Sequence, residues 1–272
     1  MIKELSVDFV KRKVSVSLPS QRIDGFNLEL ANLMQSVRKS TMTLAPEAGS
    51  QRLRNVIKKN ISEDQIINAA LTLYENGWSK LKFYFICGLP TETLEDMDEM
   101  AELLNKIKYR AKLLKCEKDL KHGFEITCTL SIFVPKPFTP FQWAPMNSQA
   151  DFREKAYKTR QGIISQLNQK SIKYNWHEAD VSMMEGVFAR GDRKVGQVIL
   201  KAYEKGCVYD AWSEYYKNDV WMQCFEECGV SVDFYTTRER SLDEIFPWDF
   251  IDCGVTKEFL KREWLKVFKE LI

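Results

Sequence analysis

The stretches Ala45-Pro-Glu-Ala-Gly-Ser-Gln-Arg-Leu-Arg54 and Phe85-Ile-Cys-Gly-Leu-Pro-Thr-Glu-Thr93 decide the fold of this chain. Each carries an apolar run through a loop and into a helix. α/β proteins use this layout to hold a ligand at the carboxyl ends of their strands. The two stretches therefore predict an α/β fold with a ligand site at the strand ends.

The first half of the chain alternates between the periodicities of strands and helices. The predicted strands are residues 14–18, 41–44, 80–87 and 124–134, and a helix is predicted between Phe26 and Val37. Ser62 and Gln65 form a capping-box pattern at the start of another helix, which Gly77 ends, and Thr93 caps a long one. Strands separated by helices predict parallel βα units with right-handed crossovers.

Four prolines interrupt the aromatic-rich stretch from Pro135 to Pro145, and we place a domain boundary there. The predicted domains are residues 1–145 and residues 146–272. The second is predicted to be mainly α-helical, with helices at 151–168, 181–190, 193–205, 219–227 and 257–271. A short strand is predicted at 171–174.

The composition limits the function classes. The 272 residues include 40 basic and 38 acidic side chains, and the net charge of +2 argues against a generic electrostatic grip on nucleic acid. No apolar run approaches the length of a membrane span, so we predict a cytoplasmic protein without membrane contact. The seven cysteines do not form a disulfide pattern, and we expect most of them to be reduced and packed in the interior.

The first stretch offers groups that suit a nucleoside ligand. The Glu47 carboxylate, just past a strand end, could accept hydrogen bonds from a ribose diol, Gly49 allows close approach of the backbone, and Ser50 adds a hydroxyl. Arg52 and Arg54 could each pair with a ligand carboxylate. The alternative is an ordinary turn between strand and helix, with both arginines in solvent.

The second stretch again places a glycine, Gly88, at a strand end and a cap at the next helix, where free backbone groups can meet an adenine or a methionyl group. Together the two stretches resemble radical S-adenosylmethionine enzymes. Further segments resemble an uncharacterised branch whose full-length members carry a cobalamin-binding-type domain upstream: 136–143, 185–193, 238–244 and 247–252. The similarity is strongest over residues 40–143 and 178–264.

The resemblance implies the C-terminal part of a partial (β/α) barrel followed by a mainly helical domain. In this family S-adenosylmethionine chelates a [4Fe–4S] cluster and is cleaved reductively to a 5′-deoxyadenosyl radical. By resemblance Glu47 faces the ribose and methionine end, while Ser50 and Arg54 lie where the carboxylate is gripped, with Arg52 as a rival. The backbone of Phe85, Cys87 and Gly88 corresponds to the adenine-side strand.

The sequence departs from the family at the cluster, because no three cysteines have the spacing CxxxCxxC that would hold three irons. We therefore expect no cluster on this chain alone and identify no catalytic residue or metal ligand. Cys224 and Cys228, one helical turn apart, are interpreted as packed residues.

The missing cysteines predict a fragment whose first barrel half lies upstream or on a separate chain, and whose substrate is unknown. The strand 14–18 would then be an exposed edge prone to self-association. The alternative is a non-catalytic module that binds RNA or a protein partner.

Two polar segments of the second domain, 177–180 and 190–193, could form a substrate surface. We favour the other interpretation, in which Asp180 and Asp192 cap helices and the arginines form salt bridges. The aromatic residues of this domain are predicted to belong to the core rather than to a stacking platform, among them Trp212, Trp221, Trp248 and Trp264.

Overall fold

The computed structural model describes residues 41–166 and 170–269, together with the isolated residues 9, 11, 12 and 14. Apart from Val14, the predicted strand 14–18 lies outside the described residues. The helix predicted between Phe26 and Val37 lies outside them as well. The predicted edge strand and its self-association therefore stay predictions.

A four-stranded sheet organises the first part of the described chain. Its strands lie in the order β1 (Met42–Glu47), β2 (Lys80–Cys87), β3 (Glu125–Ile132) and β4 (Ile172–Trp176). The pairs β1–β2 and β3–β4 are parallel. With the helices between the strands and the helical region that follows, this arrangement confirms the predicted fold class of a partial radical SAM-type barrel.

The helices of this part are α1 (Gln51–Val56), α2 (Glu63–Glu75), α3 (Leu94–Glu117) and α4 (Gln149–Ser165). The capping box predicted at α2 is confirmed: the Ser62 N–H donates to Gln65 Oε1 (2.8 Å), and the Gln65 N–H donates to Ser62 Oγ (3.2 Å). Gly77, which follows α2, has a φ of 95°, a conformation that glycine adopts without strain.

The two faces of the sheet differ in polarity. On β2 the side chains alternate strictly, so that Phe83, Phe85 and Cys87 are fully buried on one face. Lys82 and Tyr84 lie on the other face, where the lysine sits 4.5 Å from the centre of the tyrosine ring. The second face is thus less buried, and it carries Lys82 and Tyr84 beside the apolar Ile86.

The described chain divides into two compact units. The first comprises residues 1–131 and 153–176, and the second comprises residues 132–152 and 177–272. Strand β4 therefore lies in the first unit and pairs with β3. The corresponding strand predicted from the sequence, 171–174, was placed in the second predicted domain. The division at 145 and 146 stays a prediction about domain organisation.

The second unit is mainly helical. It contains a short 3₁₀ helix, Pro140–Trp143, and the helices α5 (Ala179–Arg190), α6 (Arg193–Glu204), α7 (Asn218–Glu227), α8 (Val232–Tyr235) and α9 (Lys257–Lys269). One core cluster contains Cys224, which is fully buried, with Cys228 packed against it. This packing agrees with the interpretation of the two cysteines as core residues.

Three predictions for this unit were wrong. Asp180 lies in the first turn of α5, whose N-cap is Glu178, so it does not cap the helix. Arg190 forms no salt bridge with a described residue; it is buried and donates to the carbonyl oxygens of Ala144 (2.8 Å) and Thr236 (2.6 Å). Trp212 is 56% exposed, because it lies in a loop rather than on a helix face. Asp192 does cap α6 by accepting from the Lys194 N–H.

Candidate functional site

The end of β1 carries an unusual backbone conformation at Glu47. Its φ is 69°, and the register between β1 and β2 shifts between Leu44 and Glu47, as in a β-bulge. A non-glycine residue with positive φ is uncommon and costs on the order of 1–3 kcal/mol, and such residues cluster at ligand sites. The bulge pairs Glu47 with Phe85 and so brings the two motif loops side by side.

The Glu47 carboxylate is partly exposed and has one basic neighbour. Lys59 Nζ lies 3.2 Å from Glu47 Oε1. The Glu47 side chain is 28% exposed and that of Lys59 is 23% exposed. A half-exposed ion pair of this kind contributes little to stability, about 0–1 kcal/mol. The carboxylate is therefore available to exchange its lysine partner for a ligand group.

Gly49 is required by packing within the protein. A Cβ atom on Gly49 would lie 2.3 Å from Met100 Cβ, closer than any real contact. The loop after β1 therefore rests directly on helix α3. The close approach of the backbone that Gly49 was predicted to allow is therefore an approach to helix α3.

Ser50 is fully enclosed. Its hydroxyl accepts the Leu53 N–H as the N-cap of α1 and donates to Asp96 Oδ1 at 2.5 Å. Both roles of the hydroxyl are used inside the protein. The structure therefore places Ser50 as a loop anchor beneath the surface.

Arg52 joins the two loops from the outside. Its guanidinium donates to Asp96 Oδ2, to Thr91 Oγ1 (3.1 Å) and to the Thr91 carbonyl oxygen (2.8 Å). The side chain of Arg52 is 36% exposed, whereas that of Asp96 is 3% exposed. Arg52 thus presents one side of a charged group to solvent beside the strand ends.

Asp96 is the hub of this network, and sequence reasoning missed it. Burial acts to raise the pKa of its carboxyl, but hydrogen bonds from Arg52, Ser50 and the Thr93 N–H outweigh burial and lower the pKa below its usual value. The only local signal was its position three residues after the helix cap Thr93.

Arg54 is a buried scaffold residue. Its side chain is fully buried. Four of the five N–H donors of its guanidinium form hydrogen bonds. They donate to the carbonyl oxygens of Ile61, Ala48 and Gly49 and to Gln51 Oε1. Burial lowers the pKa of this arginine. Of the two rival arginines, Arg52 is therefore the one that faces solvent.

The end of β2 is organised around a second buried carboxylate, that of Glu92. Its Oε1 accepts the N–H of Gly88 (2.7 Å) and lies 3.5 Å from Cys87 Sγ. Lys155, on α4, approaches the same oxygen at 3.0 Å. Burial raises the pKa of Glu92 and that of the Cys87 thiol.

The predicted role of Gly88 changes with this geometry. Its φ of 93° makes the turn after β2, but its N–H is already bonded to Glu92 and is not free for an adenine. Phe85 and Cys87 likewise point into the core, so only their backbone could face a ligand. No short-range signal identified Glu92 or Lys155, because they are 63 positions apart in the sequence.

Comparison with known proteins supports the resemblance. The model of the Radical SAM superfamily matches residues 1–104. The match bears out the predicted resemblance to this superfamily over residues 1–104. It covers both strand-end loops, including Glu47, Arg52 and Gly88.

A similar protein is an uncharacterised protein of Methanocaldococcus jannaschii, MJ0966. The two are 30% identical over 217 residues, which amount to 80% of this chain and 44% of the relative. The chain thus spans less than half the length of the curated relative that it matches.

The described residues contain neither a membrane-spanning helix nor a metal-ligand cluster. Across 41–166 and 170–269, no helix is both long and apolar enough to cross a bilayer. Within the same part of the chain, no group of three or more histidine, cysteine, aspartate or glutamate side chains could hold a metal ion.

Proposed function

We propose that the strand-end loops of the first unit form the nucleoside-facing part of an S-adenosylmethionine site in a radical SAM enzyme. The observation that carries the proposal is the strained Glu47, held at the end of β1 and paired with Phe85 of β2. The superfamily match over the same loops supports it.

The residues at the strand ends fit S-adenosylmethionine in part. Glu47 offers a half-exposed carboxylate to the ribose hydroxyls or the methionyl ammonium, and Arg52 offers a half-exposed guanidinium to the methionyl carboxylate. Ser50 and Arg54 act indirectly, since they fix the loop that carries these two groups. They are positioning residues in this proposal.

The residues present do not fit the iron–sulfur cluster. Cys87 is buried among Glu92 and core side chains, and no other cysteine lies close to it in the sequence. We therefore derive no step through the cluster for this chain. In a complete enzyme, the three cluster cysteines would belong to another polypeptide segment, on the same or a separate chain.

The missing cluster ligands also favour a second candidate, a module that binds RNA or a protein partner without catalysis. The balanced charge of the chain counts against RNA. Salt-dependent RNA binding that is unaffected by a change at Glu47 would favour this candidate over the first.

Isothermal titration with S-adenosylmethionine tests the first proposal. Without an iron anchor we expect a dissociation constant of about 1 mM, and Glu47→Gln should weaken binding at least roughly tenfold. Glu75→Gln is the matched control, because Glu75 is also partly exposed and paired with a lysine, Lys118, but lies at the end of α2. Binding that responds equally to both variants, or to neither, would show that the ligand site is elsewhere.

A further inference from the structure

The first unit contains a cavity at the other end of the sheet from the strand-end loops. Its volume is about 720 Å³, the size of a small-molecule site. Gly123 and Phe124, just before β3, and Ser171, just before β4, line one side of it. The Glu125 N–H donates to the Ser79 carbonyl oxygen (2.8 Å), so the amino-terminal ends of β2 and β3 are neighbours. The cavity therefore lies away from the residues assigned to S-adenosylmethionine.

Helix α3 supplies the other side of the cavity, and its lining side chains are mostly basic. Four lysines line the cavity against one carboxylate, that of Glu102: Lys106, Lys108, Lys112 and Lys115. Lys106 pairs with Glu63 (2.9 Å) and lies 4.0 Å from Glu102, so its charge is compensated. The excess positive charge of the cavity comes from the other three lysines.

These three lysines share one face of α3. Their spacing of i, i+4 and i+7 places Lys108, Lys112 and Lys115 one above another, over about 10 Å along the helix axis. Lys112 and Lys115 are exposed, and neither side chain is paired with a residue that the structure describes. The cavity is thus bordered by a row of three ammonium groups.

Lys108 is a half-buried cation that forms no ion pair within the described part of the chain. Its ammonium donates to the Phe124 carbonyl oxygen and lies 5.3 Å from the centre of the Phe124 ring. Burial lowers the pKa of Lys108, and the nearby Glu125 opposes this effect. The Glu125 carboxylate already has two other lysine neighbours, Lys80 (3.7 Å) and Lys173 (3.9 Å). An anion in the cavity would supply the counter-charge that Lys108 lacks.

The shape of this positive charge favours a particular kind of anion. Lysine ammonium groups bind phosphates as point charges, and a row about 10 Å long can contact several linked phosphates at once. The cavity has the volume of a small-molecule site, and the chain carries a net charge of only +2. A small ligand therefore fits these observations better than a strand of nucleic acid.

We propose that this cavity binds a small molecule with a chain of linked phosphates, and that the phosphates contact Lys108, Lys112 and Lys115. The phosphates could belong to an inorganic polyphosphate or to a nucleoside triphosphate. In the second case Tyr109, which lines the cavity and is 63% exposed, offers an aromatic ring to the base. The site is independent of the strand-end loops and of S-adenosylmethionine.

Calorimetric titration of the full chain with inorganic tripolyphosphate, in buffer without divalent cations, tests the proposal. Replacing two lysines together, Lys112→Gln with Lys115→Gln, should weaken binding at least about tenfold. Arg193→Gln with Lys194→Gln is the matched control, because it removes two positive charges from exposed residues of α6 that do not line the cavity. The control should change the affinity less than about twofold. Equal weakening by both double variants would indicate non-specific attraction and overturn the proposal.

A further pair of variants separates the cavity from the exposed surface of α3. Lys108→Met removes the half-buried ammonium and keeps the two exposed ones, and it should weaken binding at least about fivefold. Lys82→Met is the control, since Lys82 is also half-buried beside an aromatic ring but lies on β2. Thermal unfolding checks that both variants are folded. Binding that is unchanged by Lys108→Met would overturn the proposal.

The source of the phosphates is decided by comparing tripolyphosphate with adenosine triphosphate. Tighter binding of the nucleotide, lost in Tyr109→Ala, indicates a nucleoside triphosphate, whereas equal or weaker binding indicates that the phosphate chain alone is recognised. A single-stranded RNA oligomer is the third probe. RNA binding that is tighter than that of both small molecules and sensitive to Lys112→Gln with Lys115→Gln would overturn the proposal in favour of an RNA surface.

Discussion

Ser50 donates a hydrogen bond of 2.5 Å to Asp96 across 46 positions of the sequence. This contact joins the loop after β1 to the first turn of α3, which follows β2. Arg52 contacts the other oxygen of the same carboxylate, so one buried side chain holds both motif loops. The geometry of the loop around Glu47 therefore depends on Asp96, which contacts no proposed ligand.

We expect Asp96→Asn to lower the free energy of unfolding by about 2–3 kcal/mol at pH 7. The amide cannot accept from Arg52, Ser50 and the Thr93 N–H as the carboxylate does. Urea unfolding measures the change. Asp98→Asn is the control, since Asp98 forms a half-exposed pair with Lys158 and should cost less than about 1 kcal/mol.

The effect of Asp96 should depend on pH. Its folded-state pKa is lowered, so its contribution is present above the unfolded pKa, near 4, and is lost as pH falls through the lower folded pKa. The stability difference between the wild type and Asp96→Asn should accordingly shrink below about pH 4. A difference that stays constant from pH 7 to pH 3 would contradict this assignment.

Gly49→Ala should destabilise the first unit by roughly 1–3 kcal/mol, because the new Cβ would overlap Met100 of α3. Gly196→Ala is the matched control. Gly196 lies within α6, nothing is within 4 Å of the position that a Cβ atom would take there, and alanine should stabilise the helix by about 0.5–1 kcal/mol. Thermal unfolding of the two variants should therefore shift in opposite directions.

Arg54→Lys should cost roughly 2–4 kcal/mol, because an ammonium cannot reproduce the four hydrogen bonds of the planar guanidinium. Arg52→Lys should cost less, since Arg52 is partly exposed. Urea unfolding compares the two variants directly. A larger loss for Arg52→Lys would show that the scaffold role belongs to Arg52.

Thiol labelling should separate the cysteines by burial. The thiolate is the reactive form, and burial raises the pKa of Cys87 and Cys128. Cys116 and Cys253 are exposed and should react first with an aromatic disulfide reagent under native conditions. Mass spectrometry of the labelled peptides identifies the order, and all seven cysteines should react in denaturant. Early labelling of Cys87 would contradict the closed geometry at the end of β2.

Local patterns predicted most of the elements. The predicted strand 80–87 coincides with β2, and the capping box of Ser62 and Gln65 is present. The prediction failed at β1, which continues through Pro46 to Glu47 although proline usually ends a strand. The register shift between Leu44 and Glu47 explains the exception, since a bulge tolerates a residue without an N–H donor.

The sequence alone determined the α/β class, the two strand-end loops and the family resemblance, because periodicity, caps and motifs are set by residues only a few positions apart. The tertiary structure decided which groups face solvent. It buried Arg54 and Ser50, left Arg52 half-exposed and placed Lys155 on Glu92. These outcomes depend on partners that are distant in the sequence. Burial and hydrogen bonding arise from packing, and no local pattern encodes them.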